Sequence, residues 1–135
     1  MSKKIASFYN DEINSWLQSV DFYLDEILSL EKRLEQIIAR NTIVDIAAKT
    51  EVHQLIINKI EEKLVSLRKE IEAVRKLLSK KEDFLNDDKI NKTLENNIAL
   101  LGSNFRHHEK EYADVKFYCN EFLEEMLKRG EGDAG

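Results

Sequence analysis

The chain has 135 residues, with 42% hydrophobic, 35% charged and no proline, which is too apolar for a disordered polymer and too charged for a membrane protein. Its 26 acidic and 21 basic side chains leave a net charge of −5, against the basic surplus that drives nonspecific nucleic-acid binding. Cys119 is the only cysteine, which excludes an intrachain disulfide.

The N-terminus, Met1 to Tyr9, has two lysines, but the apolar stretch after them is short and Asp11 and Glu12 interrupt it. No signal peptide or membrane span is expected, and a cytoplasmic protein is the simplest reading. Three segments carry helical periodicity and none alternates like a strand. The first runs from about Lys4 to Arg40. Ile13, Trp16/Leu17, Val20, Tyr23/Leu24, Ile27, Leu30, Leu34 and Ile37/Ile38 recur in steps of three and four on one face. Ile5 and Phe8 are expected to extend that stripe backwards, while Asp11, Glu12, Asp21, Asp25, Glu31 and Glu35 mostly fall away from it. A break is expected at Asn41-Thr42, where either residue can cap a helix and Asp45 suits its first turn.

The second segment runs from about Thr42 to Leu85. Ile57, Ile60, Leu64, Leu67, Ile71, Val74 and Leu78 alternate steps of three and four, a coiled-coil heptad. Glu72 with Lys76 and Asp45 with Lys49 stand at favourable surface spacings. Asn86-Asp87-Asp88 supplies a stop and a restart. The third segment runs from about Asp88 to Lys128, along Ile90, Leu94, Asn97, Leu101, Phe105, His108, Tyr112, Val115, Cys119, Phe122 and Met126. Gly102 is a soft spot, costing about 1 kcal/mol against alanine in a helix. The seam resumes in register beyond it, so one long helix is expected, with a break at Gly102 as the alternative.

Short connections between long helices make sequential neighbours antiparallel. The expected fold is all-α, an elongated antiparallel three-helix bundle with coiled-coil-like heptad packing. It forms a single domain over 1–129, and the glycine-rich residues 130–135 are expected to be a disordered tail. The plan is similar to a spectrin-type three-helix repeat, an architectural likeness that carries no function.

The run Trp16-Leu17, Phe22 to Ile27, Arg33-Leu34-Glu35 and Asn41-Thr42 resembles the opening of a group of small uncharacterised bacterial all-helical proteins. His53-Gln54 stands near where such proteins tend to carry His and Gln. The resemblance covers about a third of the chain and implies a bacterial, intracellular helical bundle with no known activity.

Phosphate-binding loops and the nucleophile elbow are absent: no G-x-x-x-x-G-K-[ST], G-x-G-x-x-G or G-x-S-x-G occurs. A di-iron bundle needs Glu-x-x-His motifs, and none is present. His107 and Glu111 read as an exposed i,i+4 pair, so no metal, cofactor or catalytic residue is expected. Thr50, His53, Asn97 and His108 occupy seam positions and require hydrogen-bond partners if buried. Register specification is the plainest account of them. One alternative is that the seam opens near the helix ends and these residues meet water; another is a polar interior site around Glu26, Thr50, His53, Asn97 and His108, with His53 level with positions 26–30 in an antiparallel pairing. Cys119 is expected to be a buried structural thiol. The basic run Arg75 to Lys81 is followed at once by acids, so binding to nucleic acid or membrane is not expected.

Phe22, Ile38, Leu55, Ile56, Phe117 and Leu123 widen the stripes, either to face two partners within the bundle or to form an exposed patch. The function these features favour is a non-enzymatic protein–protein interaction or structural module, with self-association as one form. The alternative is a small-molecule or metal-binding bundle using Glu26, His53 and His108.

Overall fold

The computed structural model describes residues 2–40, 44–82 and 92–134, with side chains over 7–40, 45–79 and 92–129. Three helices make up the fold: α1 (Ser2–Arg40), α2 (Val44–Glu82) and α3 (Lys92–Ala134). The caps expected at Asn41-Thr42 and at Asn86 to Asp88, and the seam residue Ile90, lie outside the described residues. α3 carries on to Ala134, into the glycine-rich stretch that composition marks as a tail.

The three helices form a bundle, each packing against the other two. Asp21 meets Arg68 and Glu31 meets Glu61, while Lys63 meets Glu111 and His53 meets Phe122, so α2 runs antiparallel to both neighbours. Tyr23 meets Glu109 and Glu26 meets Lys116, which makes α1 and α3 parallel. The order is therefore up, down, up.

One apolar core runs along the axis. It takes Ile13, Leu17, Val20, Ile27, Leu30 and Leu34 from α1, and Ile57, Ile60, Leu64, Leu67, Ile71 and Leu78 from α2. From α3 it takes Leu94, Ile98, Leu101, Phe105, Tyr112, Cys119, Phe122 and Met126. Each fully buried aliphatic side chain contributes about 1.5–3 kcal/mol of transfer free energy.

Two expectations along the stripes are corrected. Asn97 is exposed and Ile98 is buried in its place. A step of four from Leu94 lands on the apolar residue, and the heptad then continues to Leu101 without a polar member. Phe8 is 58% exposed, while Tyr9 packs against the core. A step of four back from Ile13 reaches Tyr9, whereas a step of five carries Phe8 around the helix.

α3 is unbroken at Gly102, and no described residue has a positive φ. The glycine serves a close approach. A Cβ built there would lie 3.0 Å from Trp16 Cζ2 and 3.2 Å from Cη2. The indole of α1 thus lies over the bare backbone of α3 and also stacks on Phe105, with centroids 5.9 Å apart. Glu72 pairs with Arg68 at 3.1 Å, using the preceding turn of α2 as its partner.

Candidate functional site

Among the described residues, polar side chains enter the bundle at four places. The first is a clasp between α1 and α3. Tyr23 and Glu26 lie three residues apart on α1, and Glu109 and Tyr112 lie three apart on α3, so each pair shares a helix face. Because the helices are parallel, the Tyr23 hydroxyl donates to Glu109 and the Tyr112 hydroxyl donates to Glu26. The two rings stack between these bonds with centroids 4.5 Å apart. Lys116 closes the clasp with Nζ 2.8 and 2.9 Å from the two Glu26 oxygens.

The electrostatics follow. Lys116 first, then the Tyr112 hydroxyl, hold the Glu26 carboxyl below its usual range. Burial and the bond to Glu109 push Tyr23 up to about 12. Burial and Glu26 raise Tyr112 further. Near neutral pH both phenols keep their protons and Glu26 stays ionised. The clasp thus holds two helices in register and has no group poised to exchange a proton. A Tyr-x-x-Glu facing a Glu-x-x-Tyr was visible in the sequence; only the parallel register of α1 and α3 gives it meaning.

The second place is the side of α3 that faces α2. His107 Nε2 and His108 Nδ1 lie 3.0 and 3.1 Å from the same oxygen, Glu111 Oε1. Lys63 of α2 donates to the other oxygen, Oε2, at 2.8 Å. The Lys63 bond is the main reason the Glu111 carboxyl sits below its ordinary value; burial opposes it, and the histidines add to it. The exposed pair expected at His107 and Glu111 is present, and His108 joins it.

His53 is the third. It is buried, and its ring stacks on Phe122 with centroids 4.4 Å apart and meets Tyr118 at a tilt, 4.5 Å away. Burial lowers its pKa, favouring the neutral ring. Thr50, also buried, donates its hydroxyl to the Ile46 carbonyl at 2.7 Å, which satisfies it within α2.

The residues of the expected interior site are therefore not brought together. Glu26 belongs to the clasp and His108 to the Glu111 cluster. Asn97 is at the surface. The contacts Asp21–Arg68 and Glu31–Glu61 set His53 near the level of Ile37, roughly 10 Å or more along the bundle from Glu26. The level expected for His53, at positions 26–30, assumed helices folded back to back from residue 41.

The fourth place was missed by the sequence reading. Glu31 of α1 meets Glu61 of α2, and its Oε1 is buried with no hydrogen-bond partner. Burial, a proton shared with Glu61, and the charges of Glu61 and Glu35 push Glu31 up to about 7. A signal existed: Leu17, Leu24, Glu31 and Ile38 are spaced by seven, and Glu31 is the polar member. Cys119 is fully buried, and burial pushes its thiol up to about 11, away from the reactive thiolate.

No family model, curated protein or solved structure matches the chain. No described helix is long and apolar enough to cross a membrane.

Proposed function

We propose that the chain is a non-enzymatic helical module for protein–protein interaction or assembly, with a second copy of itself as one candidate partner. The carrying observation is how the widened stripes divide. Ile38, Ile56 and Leu123 are partly buried within the bundle. Phe22, Leu55 and Phe117 are not: they are 58%, 62% and 67% exposed. Large apolar side chains held that far into water are candidates for burial against another protein. Leu55 of α2 and Phe117 of α3 also stand at about the same height of the bundle, given the pairings Lys63–Glu111 and His53–Phe122.

The chemistry of the clasp and of Cys119 supports the same reading. The tyrosines of the clasp and Cys119 hold their protons more tightly than usual, the opposite of what nucleophilic or general-base work requires. The alternative, a ligand held by Glu26, His53 and His108, has no common site, because three separate sets of partners hold those residues. The net charge of −5 supports a protein partner over nucleic acid.

The test is sedimentation equilibrium from micromolar to near-millimolar concentration, alongside crosslinked capture from a lysate followed by mass spectrometry. The expected result is self-association or one stoichiometric partner, weakened at least ~10-fold by Phe22→Ser together with Phe117→Ser. A chain that stays monomeric and captures nothing at micromolar concentration would defeat the reading.

A further inference from the structure

We propose that His107, His108 and Glu111 form a binding site for a divalent transition-metal ion of the zinc class, on the side of α3 that faces α2. The inference stands apart from the interaction reading and does not rest on it. Its basis is convergence. The two imidazole nitrogens approach one carboxylate oxygen at 3.0 and 3.1 Å, and all three donor atoms lie within 4.8 Å of one another. A tetrahedral zinc with bonds of about 2.0–2.1 Å spaces its ligands about 3.3 Å apart. Two of the three edges are already near that length, and the third, between the two imidazoles, is at most 4.8 Å.

The helix supplies the convergence. In His107-His108-x-x-Glu111, one histidine stands four residues before the carboxylate and the other three, so they flank it from both sides. An i,i+4 ion pair needs one histidine, and here two crowd a single oxygen. An ion among them would replace protons that the nitrogens otherwise direct at that oxygen. Two imidazoles and one carboxylate form a borderline donor set that suits zinc better than calcium or magnesium. The His107 side chain is 70% exposed, which leaves room for water at the remaining coordination position.

Lys63 gives the site a distinctive signature. Its ammonium, 2.8 Å from Glu111 Oε2, repels a cation bound at Oε1. A ligand set with no metal role would not respond to its removal in that direction.

The test is calorimetric titration of the tag-free, full-length chain with Zn²⁺ alone near neutral pH, with Co²⁺ absorption reporting coordination geometry. One ion per chain is expected. His107→Ala and Glu111→Gln should each weaken binding at least ~10-fold, and Lys63→Met should tighten it several-fold. His53→Phe, which removes a histidine elsewhere in the bundle, should leave it unchanged. His107 is exposed enough for its replacement to spare the fold, which circular dichroism checks. The proposal is overturned by no saturable binding up to about 1 mM zinc, by binding indifferent to His107→Ala and Glu111→Gln, or by Lys63→Met weakening it.

Discussion

Glu31 occupies a heptad position whose other members are Leu17, Leu24 and Ile38, and this gives the bundle a pH response. An unfolded glutamate titrates near 4.5, whereas the folded carboxyl holds its proton up to about 7. Between those values the native state binds more protons than the unfolded state, so this residue's contribution falls as pH rises across the window and stays low above it. Glu31→Leu should therefore stabilise the protein by about 1–2 kcal/mol more at pH 8 than at pH 5, because solvent at this partly exposed edge screens some of the full effect. Urea unfolding of both proteins at the two pH values checks this; equal stabilisation at both would sink it. His53 acts in the opposite sense. Its pKa is lowered by burial, with its ring stacked on Phe122. Its contribution is complete above the ordinary histidine value of 6.5 and is lost as pH falls below it.

At the scale of the helix, Gly102 sets local propensity against tertiary contact. Alanine would favour an isolated α3 by about 1 kcal/mol. In the bundle its methyl would press on the Trp16 indole at 3.0 Å, and Trp16 is itself held by stacking on Phe105. Gly102→Ala should thus be neutral or destabilising in the wild-type background. In a Trp16→Leu background it should stabilise by about 0.5–1 kcal/mol. A double-mutant cycle by thermal or denaturant unfolding reads the coupling directly, and additive effects would show that the indole does not account for the glycine. The seam of α2 was legible as sequence from Ile57 to Leu78, because a strict heptad needs no knowledge of its partners. Among the described residues the seam of α3 was legible except at Asn97, where a step of four reaches Ile98 instead, and at His108, which is only part-buried and turns to Glu111.

For the whole molecule, helices of 39, 39 and 43 residues in three parallel or antiparallel layers make a rod. At 1.5 Å per residue, α1 and α2 are each about 58 Å long. A monomeric rod of that length and about 20 Å width should have a radius of gyration of about 18 Å, against about 14 Å for a compact 135-residue domain. Small-angle scattering at low concentration separates the two, and a value near 14 Å would contradict an extended bundle. The candidate site was only partly legible at this scale. The sequence pairs His107 with Glu111 along one helix, but it gives no reason for His108 to turn towards the same oxygen or for Lys63 of α2 to reach the other.

Residue order alone determined the all-helical class, the three elements and most of the core. Those follow from hydrophobic periodicity and the lack of proline, which are local properties of each segment. Tertiary structure decided how far each helix slides along its neighbours. That axial register sets His53 against Phe122 rather than Glu26, brings Glu31 to Glu61, and locks Tyr23 and Tyr112 to carboxylates on opposite helices. Register emerges from many weak contacts spread along the whole length of the bundle, and no single stretch of sequence carries it.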